Sequence, residues 1–141
     1  MESVALSIHG TTIFALVAII LYSDHLGLSW IQGKRETLPT KKMVLLHRLV
    51  WVGLAIMVAS GVVLFLDLKD YLLTTPAFYV KMFFVATLVV NALFIGKFMR
   101  VATEKPFAVL SNNERLSLLI SGAVSTISWI GAIIAAGQLD L

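Results

Sequence analysis

Seven side chains in this sequence have the chemistry to do more than pack: His9, Asp24, His25, His47, Arg48, Lys81 and Asn91. Each lies in or beside a long apolar stretch, where an ionisable group is costly and marks a candidate site. His25 and His47 sit close to the two ends of the first connection between apolar stretches, so they fall at similar depth. Two imidazoles at one depth in a helical bundle are candidate axial ligands for a haem b iron. With Asp24 as a third ligand, the same pair is a candidate site for Cu or Zn. His9 is a weaker third candidate for the cofactor. At about 100° per residue, Asp24 lies about 60° around its helix from His9, and His25 about 160°. If His9 faces the interior, His25 faces sideways or the headgroups. The competing structural reading makes Asp24 and Arg48 an interfacial ion pair, with His25 and His47 capping or anchoring.

Lys81 lies near the opposite end, at the depth of His9. One reading snorkels it to headgroups or pairs it with Asp67 or Asp70. The other makes Lys81 and His9 an anion or proton site, a role that imidazole suits near neutral pH. Asn91 lies deeper and needs a partner on a neighbouring helix, with Ser121 and Ser125 the candidates. No G-x-S-x-G, H-E-x-x-H or Walker loop occurs.

The elements that hold these residues follow from composition. The chain has 141 residues, 59% hydrophobic and 13% charged, with a mean hydropathy of +0.93. Soluble domains are about 45–50% apolar and about 25% charged, so a soluble globule and a disordered chain are both excluded. There is no cysteine, which removes disulfides, iron–sulfur clusters and C-x-x-C-H haem attachment. Four apolar stretches, at about 4–28, 43–66, 77–99 and 112–137, have the length of membrane spans. Runs such as Val62-Val63-Leu64-Phe65-Leu66 do not alternate, which favours helices over barrel strands. The expectation is an all-α protein: one integral membrane domain, 1–141, folded as an up-down-up-down four-helix bundle.

Nine of the eleven Lys and Arg residues lie in or beside the first and third connections. The positive-inside rule then puts both termini outside and both basic loops in the cytoplasm. The membrane expected is of the bacterial inner type. The first stretch carries Glu2 and no basic residue before it, so it is expected to stay rather than be cleaved. A net charge of +3 and a pI near 9.4 point to anionic lipid headgroups, not to nucleic acid. Gln32-Gly33 closes the first helix, Thr75-Pro76 opens the third, and Ser111-Asn112-Asn113-Glu114 is a capping box before the fourth. Ser117, Ser121, Ser125, Ser128, Ala132 and Ala135 share one face of that helix and predict close packing.

The stretch from His47 to Gly61, then Leu72-Leu73-Thr74-Thr75-Pro76, Lys81 and Asn91, resembles the CopD-like membrane proteins. The likeness covers about half of the chain. It implies a compact four-helix membrane unit, associated in some members with copper or haem. Three functions are therefore in view. The first is an accessory subunit of a larger membrane complex, or a homo-oligomer, with helix 4 as its contact face. The second is a haem- or metal-binding protein for electron transfer. The third is a small transporter or proton path through Asp24, Asn91 and the serines of helix 4.

Overall fold

A computed structural model describes residues 2–139. Its order is α1 (Glu2–Ile31), α2 (Thr40–Leu72), α3 (Pro76–Glu104), a single 3-10 turn (Phe107–Val109) and α4 (Asn112–Gly137). No strand occurs among the described residues. All four long helices have the length and apolar composition needed to cross a membrane.

The helices outrun the apolar stretches. α2 continues from Leu66 to Leu72 and takes in Asp67, Lys69 and Asp70, after a local departure from helical geometry at Leu68. α3 continues to Glu104. An apolar run measures the thickness of the slab it can cross, not the length of the helix. Backbone hydrogen bonding carries on into turns whose side chains are polar. At about 1.5 Å per residue, 26 to 33 residues rise about 39 to 50 Å, against a hydrocarbon core of about 30 Å.

Local chemistry sets the ends. Gly33 has φ +73, the left-handed conformation glycine takes without strain. Pro76 opens α3, where its missing N–H costs nothing. The Ser111 hydroxyl accepts from the Glu114 N–H (3.2 Å) and donates to the Glu114 carboxylate, so α4 starts there.

α1 packs along α2, and α3 along α4. Along α1 and α2, His9 meets Ser60, Leu16 lies on Gly53, and Tyr22 meets Lys42. Along α3 and α4, Phe84 lies on Gly131, and Asn91 meets Ser121. The two hairpins are joined less extensively. Phe65 stacks on Phe78 at one end. At the other end the Leu38 N–H donates to the Ala102 carbonyl (2.9 Å), and the Trp30 indole N–H to the Lys105 carbonyl (3.0 Å).

Two buried clusters form the core. Leu16, Leu54, Leu88, Ala92 and Trp129 fill the middle. Leu26, Trp30, Leu38, Leu46, Ala102 and Leu110 fill the end that carries the basic connections. Outside these, large apolar side chains point away from the protein on every helix: Phe14 is 78% exposed, Leu66 64%, Phe83 66% and Ile127 62%. The accessible surface of 8684 Å² exceeds the about 7,200 Å² of a compact soluble chain of 15.4 kDa.

Candidate functional site

Between the two hairpins, toward the basic end, lies a cavity of about 210 Å³. Every long helix contributes a polar group to its wall: Ser23 and Asp24 from α1, His47 from α2, Asn91 from α3, and Ser121 and Ser125 from α4. The remaining wall is apolar, with Trp30 and Leu38 on the basic-end side and Leu54, Leu88 and Trp129 on the other.

Helical rotation decides which of the predicted residues meet. One residue step turns a side chain by about 100°. Asp24 and its neighbour His25 are both exposed, but only Asp24 lines the cavity. His47 lines it, and its neighbour Arg48 is exposed and outside the lining. The structure thus brings Asp24 and His47 to one cavity and leaves His25 and Arg48 out of it. The expected Asp24–Arg48 ion pair is absent among the described residues: Asp24 lies on the cavity lining and Arg48 does not. His25 and His47 do not converge on the cavity either. Among the described residues no three His, Asp or Glu side chains come together as a metal site, so Asp24, His25 and His47 do not form the predicted set.

His47 is itself engaged. The Trp51 indole N–H donates to its Nε2 (3.1 Å), one helical turn on, with the rings edge to face. The Gly96 backbone passes close to the same nitrogen: a Cβ there would lie 3.4 Å from Nε2. A metal ligated through Nε2 requires the Trp51 bond to break. Met43 and Met99 also line the cavity, and their thioethers are soft donors that histidine counting passes over.

Asn91 is buried, and it bonds α4 twice. Its Nδ2–H donates to the Ser121 carbonyl (2.9 Å), and the Ser121 hydroxyl donates to its Oδ1 (2.8 Å). Interhelical bonds of this kind contribute about 0.6 kcal/mol each in a bilayer. Ser121 and Asn91 thus fix the cavity wall, while Ser125 is half-buried beside them.

A second polar centre lies at the other end. The Ser60 hydroxyl donates to the Ile56 carbonyl (2.8 Å) and so accepts from His9 Nδ1–H (2.8 Å). This network assigns the imidazole proton to Nδ1, with Nε2 accepting from Lys81 Nζ at 3.5 Å. The partner of Lys81 is His9, not Asp67 or Asp70. The Ser60 hydroxyl gives sequence reading no handle, because a serine in an apolar run reads first as helix packing. The two centres do not communicate through polar groups along α1: Leu16, 1% exposed, stands seven residues from His9 and seven from Ser23. Leu54, Leu88 and Trp129 complete that apolar plug.

No protein-family model, no curated protein and no solved structure matches this chain.

Proposed function

We propose that the chain is an integral membrane protein that binds a small, largely apolar ligand in the cavity between its two hairpins. Its helices cross up-down-up-down, with both termini outside and the two basic connections in the cytoplasm. Exposed side chains such as Phe14 and Phe83 are covered by lipid, since soluble monomers rarely leave large apolar patches uncovered. Protease digestion of tagged cells tests the orientation. Tags at both ends are expected to be cleaved from outside; tags protected at both ends would reverse it.

The observation that carries the binding reading is the composition of the cavity wall. Aromatic and aliphatic surface surrounds a carboxylate, an imidazole, an amide and three serine hydroxyls. Ligand pockets have this character: mostly apolar, with a few convergent polar groups that fix orientation. Asp24 makes the preferred polar group a hydrogen-bond donor or a cation. A path for ions across the membrane is disfavoured by the plug around Leu16. An accessory role in a larger complex rests on the exposed apolar faces, which lipid covers equally well.

Gly27 supplies the test. It lines the cavity, and a Cβ on it would meet nothing within 4 Å. Gly27→Leu is therefore expected to project its side chain into the space. Solvent extracts of protein purified in mild detergent are expected to hold a co-purifying small molecule, reduced about tenfold in Gly27→Leu. Equal amounts in both proteins, or none in either, would defeat the reading.

Haem is the second reading, favoured by the presence of His47 with Met43 and Met99 in the same wall. The CopD-like resemblance points the same way. His47 would hold the iron after release from Trp51, and the haem would supply one-electron chemistry. A visible spectrum decides it. A Soret band abolished by His47→Ala and kept by His25→Ala is the expected pattern; no band in the wild type removes haem.

A further inference from the structure

A second recess, of about 470 Å³, opens between the two basic connections. Arg35 reaches it from the first connection, and Arg115 from the first turns of α4. Trp30, Pro106 and Phe107 form apolar walls, and Glu36 is the one carboxylate in the lining.

Arg115 is held in place before any ligand arrives. Its Nη2 donates to the Ala108 carbonyl. Its Cζ lies 5.3 Å from the centroid of the Phe107 ring, a cation–π distance. The Phe107 ring in turn packs edge to face on Trp30, 5.3 Å between centroids. The Nε–H of Arg115 is buried and has no hydrogen-bond partner among the described residues. A buried donor without an acceptor is rare and calls for an explanation such as a missing ion.

We infer that this recess binds a phosphate group, and that the phosphate belongs to the headgroup of an anionic lipid. A guanidinium is a planar fork that matches phosphate oxygens two at a time. Here one guanidinium is immobilised with an N–H left over, and a second, Arg35, lies on the same recess. The recess also exceeds what a bare phosphate fills, and its Pro106 and Phe107 walls suit the glycerol and upper acyl region of a lipid. The lipid assignment rests on the membrane reading above; the phosphate chemistry does not.

Native mass spectrometry of the protein in zwitterionic micelles tests it, with phosphatidylglycerol or phosphatidylcholine added, and inorganic phosphate as a separate arm. Wild type is expected to retain phosphatidylglycerol about tenfold better than phosphatidylcholine, and Arg35→Gln to lose most of that preference. Lys34→Gln is the control, since Lys34 adjoins Arg35 in the sequence and is not in the lining. It should change retention less than twofold. Arg115→Lys keeps the charge and removes the fork, so a drop in lipid retention at unchanged melting temperature supports the geometry. If millimolar phosphate raises the melting temperature of wild type but not of Arg35→Gln, without any lipid preference, the site takes a free anion. Overturning results are equal retention of both lipids with no effect of phosphate, or equal losses in Lys34→Gln and Arg35→Gln. The orientation of the termini plays no part in this assay, so the two proposals fail separately.

Discussion

Trp30→Ala is expected to destabilise the protein by about 3–5 kcal/mol, the range for truncating a buried aromatic side chain. Trp30 is 1% exposed, the most buried large side chain at the basic end. Three separate terms converge on it. The indole fills the cluster with Leu26, Leu38, Leu46, Ala102 and Leu110. Its N–H satisfies the Lys105 carbonyl just past the end of α3, a carbonyl that truncation leaves without that donor. Its ring supports Phe107, and through it Arg115. Trp30 also lies in the walls of both the central cavity and the recess between the basic connections. Its loss joins the two spaces, so ligand retention and lipid retention should fall together. Trp30→Phe separates the terms: it keeps most of the volume, loses the hydrogen bond, and should cost about 1–2 kcal/mol. Unfolding of both variants in mixed micelles, followed by loss of helical signal, measures the difference. A wild-type midpoint for Trp30→Ala would mean that the hairpins do not depend on this contact.

The contact was not legible in the sequence, and the reason is physical. Hydropathy reads what a residue shuns, so it finds the four helices: a charge-free run such as 116–137 leaves no alternative. It does not read azimuth or partner. The Gln32-Gly33 stop, the Thr75-Pro76 start and the Ser111 cap were legible because each is a local backbone requirement carried by one or two residues. The turn at Phe107–Val109 was not, because it is made by packing Phe107 against Trp30, across a separation of 77 residues. The candidate site divides the same way. Helical rotation alone separates His9 from His25 by about 160°, and the structure places His9 on Ser60 and Lys81 while His25 is exposed. Depth alone pairs Asp24 with Arg48 and His25 with His47. Depth is one coordinate of two, and the angular one joins Asp24 to His47 in a single cavity. Arg115 read only as one more basic residue counted toward orientation, because the unsatisfied Nε–H is a property of the folded chain.

Leu16 and Gly53 form the tightest seam between α1 and α2, and they should behave as one unit under mutation. A Cβ on Gly53 would overlap the Leu16 isobutyl group, which is fully buried. Gly53→Ala is expected to cost about 1–3 kcal/mol by overpacking. Leu16→Ala leaves a void at the centre of the bundle. In the bilayer setting proposed above, the unfolded helix already sits in oil, so the transfer term nearly vanishes and the void dominates. The expected cost is about 2 kcal/mol, the low end of the range for Leu→Ala in soluble cores. The double variant places the new methyl group where Leu16 stood. It should therefore be more stable than the sum of the two single changes by about 1–2 kcal/mol, within the coupling seen for residues in contact. The parallel pair in the other hairpin, Phe84 on Gly131, predicts the same sign for its own cycle. Additive losses at 16 and 53 would show that α1 and α2 do not meet at this register. The antiparallel pairing that sets His9 on Ser60 would fail with it, because helices packed along one seam cannot shift at Leu16 and stay in place seven residues away.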